Sequence, residues 1–174
     1  MTYGPLVAHA SLETLLDAAI VLQQEAPGLS LAIVGAGPLE RYLRIEVAAL
    51  GLSATVAVVV PTLPVAEVLA VADLLVVPSP ALADEGMVID AMALGRPVMA
   101  AKGALPDSLL RHGETGYLVT PGHGQALASA IADLFARPAV MAELAESGRR
   151  SVAQMNDAQV LVDAVAAVYR RVGA

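Results

Sequence analysis

Two hydrophobic periods alternate along the whole chain. Short, continuous apolar runs fall at Leu29 to Val34, Thr55 to Val60, Leu74 to Val77, Val98 to Ala101 and Tyr117 to Thr120. Runs of that length, rich in Val, Leu and Ile, predict strands buried on both faces. A shorter run, Leu6 to Ala8, predicts a first strand. Between the runs, apolar residues recur at three- and four-residue steps. Leu12, Leu15, Leu16, Ala19 and Leu22 share one face of a helix predicted over Ser11 to Glu25, with Ser11 as its N-cap and Pro27-Gly28 as its stop. Pro38 suits the first turn of a second helix running to about Leu50, ended by Gly51. Further helices are predicted over Pro64 to Ala72, from near Met87 to Gly95, over about Pro106 to Arg111 and over Gln125 to Ala136. Pro138 to Arg171 reads as two more. Strands apolar on both faces, alternating with amphipathic helices, predict an α/β domain. Its expected core is a single doubly wound, Rossmann-like parallel sheet with helices on both faces, and residues 1–174 are expected to form one domain.

Composition narrows the chemistry. The 174 residues are 57% hydrophobic with one Phe and no Trp, so Ala, Val and Leu must fill the core. A net charge of −7 argues against a broad nucleic-acid surface or a basic membrane patch, yet leaves room for one phosphorylated ligand held by local donors. No cysteine is present, which removes disulfides, thiolate metal sites and cysteine nucleophiles and fits a reducing, cytoplasmic compartment. The first residues, MTYGPLVAHASLE, lack the basic start and long apolar core of a signal peptide. Ala54 to Ala83 is nearly uncharged, but its prolines with Glu67 and Asp73 predict buried strands and turns rather than a membrane span.

The stretch from Pro78 to Pro97, PSPALADEGMVIDAMALGRP, is the best candidate for a site. It joins an apolar strand, a loop with Asp84, Glu85 and Gly86, and a helix start near Met87. An open α/β sheet places its ligand at such a junction. Asp90 is read as accepting hydrogen bonds from a sugar's hydroxyls, with the backbone N–H groups of Gly86 and Met87 toward phosphate. The bland alternative is a loop acid and an exposed helical acid. Gly35-Ala36-Gly37 invites a dinucleotide reading, but Glu40 stands where that fingerprint wants a third Gly or Ala. The remaining choices are a tight turn, or Gly35 and Gly37 letting a ligand approach the backbone. His9, His112 and His123 show no metal-ligand spacing, so no metal is expected. Lys102 and Arg96 flank the strand after the central helix and are the nearest cations for a phosphate.

Five segments, LAIVGAGPLERYLR, VADLLVVPSP, DAMALGRPVMA, HGETGYLVTPG and QALASAIADLF, occur in an order that resembles the C-terminal domain of group 1 glycosyltransferases. These are retaining, family-4 enzymes of GT-B architecture, and the resemblance runs from Gly4 to about Arg171. It implies a domain that binds a nucleotide-diphosphate sugar, without a metal ion. The acceptor would be held by a separate N-terminal half, which this sequence does not contain, so that the isolated chain is expected to be inactive. In the family's E-x7-E motif the second Glu holds the ribose, and Asp90 occupies that place. The first Glu contacts the donor sugar. Its place falls on Leu82 without gaps, or on Glu85-Gly86 after a shift.

The chain departs from the family in two further places. Where the family has G-R-L-V-P-E-K-G, this sequence has GPLVAHAS, with Pro5 for the diphosphate-binding Arg and Ala10 for the Lys. Each such charge-assisted contact is worth about 1.5–3 kcal/mol. The connection from Pro64 to Asp73 also looks about one helical turn short. The resemblance therefore implies a donor-binding domain, its catalytic residues unassigned, paired with an N-terminal acceptor subunit or with a second copy of itself. The competing expectation is a catalytically degenerate domain used for protein association, favoured by Pro5, Ala10 and Leu82.

Overall fold

The computed structural model describes residues 1–7 and 9–155, with only the backbone at His9 and Ala10. Six strands are all parallel: β1 (Thr2–Tyr3), β2 (Leu31–Val34), β3 (Val56–Val59), β4 (Leu75–Val77), β5 (Val98–Ala101) and β6 (Tyr117–Val119). The first five alternate with α1 (His9–Glu25), α2 (Glu40–Ala49), α3 (Val65–Ala70) and α4 (Glu85–Ala93), while β6 follows β5 without a helix between them and is followed by α5 (Gly124–Phe135) and α6 (Pro138–Met155). The strands form two three-stranded sheets, β1-β2-β3 and β4-β5-β6. Met1 joins them. Its amino nitrogen donates to the Leu74 carbonyl at 2.8 Å, and its carbonyl accepts from the Val76 N–H at 2.7 Å. Read across that seam, the order is β3-β2-β1-β4-β5-β6, the doubly wound order that places a crevice where the winding reverses.

Alternation along the strands divides the core between the two faces, as a pleated strand must. Leu74, Val76 and Met99 enter one cluster with Ile33, Val56 and Val58, under α1, α2 and α5. Leu75, Val77, Val98 and Ala100 enter the other, under α3 and α4. Helix α6 contributes Leu144 to the first cluster and Val152 to the second. Gly124 lets α5 lie directly on α1, because a Cβ there would collide with Asp17 and the backbone of Ala18.

Several expectations need correction. The first strand is Thr2–Tyr3, while Leu6 and Val7 lie in a turn. Pro5 has no N–H for a ladder, and the Leu6 side chain turns into the core, 1% exposed. Ser11 does not cap α1, which starts at His9. Its buried hydroxyl instead meets the hydroxyl of Ser79, just past β4. Pro106 to Arg111 is not a helix: Leu109 and Leu110 both return their N–H groups to the Pro106 carbonyl and the turn ends there. Helix α3 is six residues long, shorter than Pro64 to Ala72, and α2 starts at Glu40, two residues after Pro38. From Pro138 the described chain holds one helix; the second expected there lies outside the described residues, as does Ala8 of the first expected strand. No described helix is long and apolar enough to cross a membrane.

Candidate functional site

The candidate residues converge on the C-terminal edge of the strands. Segments 4–7, 35–39, 78–84 and 120–123 all leave the sheet there, and α4 begins there. Gly35 and Gly37 sit at the end of β2, and the close approach they permit is to the chain itself. A Cβ on Gly35 would overlap the Gly4 carbonyl oxygen, and one on Gly37 would lie 2.6 Å from the Leu6 carbonyl oxygen. Gly4 N–H to the Val34 carbonyl, Leu6 N–H to Ala36 and Leu39 N–H to Leu6 lace the two loops together at 3.0–3.1 Å. This cradle forms the floor of the edge beside β1.

Around α4 the geometry differs from the expectation at one atom. The helix begins at Glu85, and Asp84 is its N-cap: Asp84 Oδ1 accepts from the Met87 N–H at 3.0 Å. The Met87 amide, expected to face a phosphate, is spent on a carboxylate. Within the first turn the Val88 N–H returns to the Asp84 carbonyl, which leaves the Glu85 and Gly86 amides as the donors at the positive end of the helix dipole. An acidic residue immediately before the helical pattern was the signal for this cap. Asp84, Glu85, Gly86 and Asp90 are exposed, while Met87 and Val88 are buried. Asp90 stands about one and a half turns into the helix on its solvent side.

Leu82, in a short 3-10 turn over Pro80–Leu82, is 3% exposed and packs in the same core cluster as Leu6, with its Cδ2 against Gly4. The ungapped place of the sugar-contacting acid is thus a buried leucine, and Glu85, the place reached after a shift, is exposed beside the equally exposed Asp84. The two cations expected near phosphate are separated by the sheet. Lys102 lies at the C-terminal end of β5, exposed, with its N–H on the Val119 carbonyl. Arg96 lies before the N-terminal end of β5, at the opposite edge, and its buried Nε has no partner among the described residues.

His112 and His123 lie on opposite sides of β6, at opposite edges of the sheet. His123 is the residue before α5 at the same edge as α4 but caps nothing with its side chain. His112 is not merely solvated: its Nδ1 accepts the Leu118 N–H at 3.0 Å, and its ring meets Tyr117 edge-on at 4.8 Å. Among the described residues no cluster of three His, Asp or Glu side chains could hold a metal. Two cavities open at the opposite edge of the sheet. One of about 500 Å³ lies between the turn at Arg111 to Thr115 and α6, and another of about 260 Å³ is lined by Leu22, Leu31, Leu74 and Phe135. Neither touches the α4 start.

Residues 1–137 match the family model described as Glycosyl transferases, group 1. No curated protein matches the sequence. Among solved structures, the chain is similar to the C-terminal domain of a glycosyl transferase group 1 family protein (LpcC) from Francisella tularensis, with 22% identity over 88% of this chain and 84% of that one and a TM-score of 0.73. It is also similar to Anabaena Alr3699/HepE, solved with UDP and glucose (25% identity, 97% of this chain and 48% of that one, TM-score 0.77). A third likeness is to sucrose-phosphate synthase from Thermosynechococcus elongatus (25% identity, 98% and 45%, TM-score 0.73). The chain thus spans about half the length of the last two.

Proposed function

The chain belongs to the group 1 glycosyl transferases, and from that premise we propose that it is a donor domain, binding a nucleotide-diphosphate sugar for transfer to an acceptor held by a separate N-terminal half. The observation that carries this reading is the start of α4 at the C-terminal edge of the sheet, with Asp90 exposed beside it. In this reading the Asp90 carboxylate accepts hydrogen bonds from the ribose hydroxyls. The Glu85 and Gly86 amides meet the diphosphate, with the helix dipole supplying the favourable field. Glu85 contacts the donor sugar, and the cradle of Gly35 and Gly37 supports the nucleotide from below. Met87 contributes through its buried side chain, which fixes the helix, rather than through its amide. The likeness to Anabaena HepE, solved with UDP and glucose, supports a nucleotide-sugar ligand. No metal ion enters the proposal. A cytoplasmic setting, and inactivity of the chain without an acceptor half, belong to it.

A second reading, a degenerate domain serving protein association, draws on three features of the same edge. Leu82 is buried where an acid would meet the sugar, Asp84 presents negative charge where a phosphate would sit, and Pro5 stands where a guanidinium would. Calorimetric titration with UDP, GDP and ADP, then with their sugar conjugates, separates the two. Saturable binding that Asp90→Ala weakens by about tenfold or more supports the donor site, this being the loss expected of one hydrogen-bonded carboxylate. Absence of binding at millimolar ligand, by folded protein, leaves the association reading standing.

A further inference from the structure

Strand β3 ends its sheet, and among the described residues its outer edge pairs with nothing. The register against β2 shows which backbone groups that edge presents. Leu31 donates to the Thr55 carbonyl at 2.8 Å and Gly35 to the Val59 carbonyl at 2.9 Å, so residues 55, 57 and 59 turn their backbone groups inward. Alternation then turns those of Val56, Val58 and Val60 outward. The Val56 N–H is already taken by the Leu52 carbonyl at 2.8 Å. The open edge therefore offers the Val56 carbonyl and both groups of Val58 and Val60.

Among the described residues, nothing blunts this edge. Natural edge strands are protected by lysines, prolines, bulges or a covering element. Here residues 47–66 carry no charged side chain, and the first proline, Pro61, falls after the strand. On the face away from α2, Ala57 is exposed and Val59 is 42% exposed, because the short α3 does not reach them. Helix α2, which flanks the strand on its other face, carries Glu40 and Glu46 balanced by Arg41 and Arg44.

We propose that β3 is a self-pairing edge, and that a second copy of this chain docks on it antiparallel, through a two-fold axis at Val58. A second copy is the partner that the chemistry favours. On a chain of net charge −7, this is a surface where two copies meet without bringing carboxylates together. The donors and acceptors are also self-complementary. With the axis at Val58, each Val58 N–H reaches the other copy's Val58 carbonyl, and each Val60 N–H reaches the other copy's Val56 carbonyl. That makes four bonds, and the spent Val56 amide is not required. An axis at Ala57 would need that amide and make only two bonds. An axis at Val59 would also make four bonds, between Val58 and Val60 of the two copies, but it would set Ala57 opposite Pro61, past the strand end. Pairing at Val58 sets Ala57 opposite Val59 of the other copy on the exposed face and joins both sheets into one. The contact is closed, so it stops at two copies. It is also small against the roughly 800 Å² per partner of a standard interface, so the dimer is expected to be weak, dissociating in the micromolar range or above.

Sedimentation of the 174-residue chain from low-micromolar to near-millimolar concentration tests this. A reversible monomer–dimer equilibrium is expected. Val60→Pro removes two of the four intermolecular bonds and no N–H used within the described chain, so it should weaken the dimer at least tenfold while leaving the circular dichroism unchanged. A second measurement does not depend on that variant folding. Because the chain has no cysteine, Ala57→Cys combined with Val59→Cys gives a clean crosslinking probe. Cα atoms in such non-hydrogen-bonded pairs lie about 4.5 Å apart, within disulfide reach. Mild oxidation should yield a covalent dimer. A monomer at every concentration, a dimer indifferent to Val60→Pro, species that keep growing with concentration, or no crosslink would each overturn the proposal. None of these outcomes bears on nucleotide binding, so the donor reading stands or falls separately.

Discussion

Asp84 and the Met87 amide 3.0 Å away set two quantities that pull in opposite directions. The carboxylate caps α4, which is worth about 1 kcal/mol to the fold, and it also places negative charge where a diphosphate would approach. Asp84→Ala should lower stability to urea by about 0.5–2 kcal/mol. Asp84→Asn keeps the acceptor and removes the charge, so it should leave the unfolding midpoint nearly unchanged while tightening UDP binding by roughly three- to tenfold, the scale of a charge at a helix terminus. Equal UDP affinity in both proteins would mean that the phosphates do not lie at this helix start. The role of Asp84 was half legible: its position just before a helical pattern marks a cap, but the loss of the Met87 amide follows from a side-chain geometry that composition does not carry. The partners of Gly35 and Gly37 were not legible at all, because Gly4 and Leu6 lie some thirty residues earlier in the chain and meet them only once β1 and β2 pair.

The elements divide by how much of their identity is local. The runs at Leu74 to Val77 and Val98 to Ala101 became β4 and β5 within a residue, because a strand buried on both faces needs an unbroken apolar run. Leu6 to Ala8 misled for the same reason. Leu6 is apolar because a turn drives it into the core, not because it sits in a ladder. Pro106 to Arg111 misled in another way: buried Leu109 and Leu110 imitate helical spacing although one turn suffices to bury them. The packing of α5 on α1 depends on Gly124, and its sequence sign is faint, since a glycine before a helix ordinarily reads as loop. Gly124→Ala should force the two helices apart and lower stability by about 1–3 kcal/mol, the range for overpacking a close contact. A thermal midpoint equal to that of the parent would show that the interface can yield at no cost.

At the scale of the whole molecule, the two half-sheets meet at the Met1 amino group. Burial pushes its pKa from the ordinary 8.0 down to about 6, with the charge of Asp73 opposing part of the shift. Below about pH 6 both folded and unfolded chains carry the proton, and the folded state bears the full cost of a buried charge. Between pH 6 and 8 the unfolded chain binds the proton that the folded chain lacks, so stability rises with pH across that window and levels off above it. The gain is expected to be about 1–3 kcal/mol in the 174-residue chain. Urea unfolding at pH 5.5, 7 and 8.5 measures it, and acetylating the amino group should flatten the curve. Helix α6 works on the same scale, because among the described helices it alone buries side chains on both faces of the sheet, Leu144 with α5 and Val152 with α4. Heat absorbed by one layer is thereby felt by the other. The calorimetric and van't Hoff enthalpies of melting should agree for as long as that strap holds, so that a Rossmann half split between two cores melts as a single thermodynamic unit.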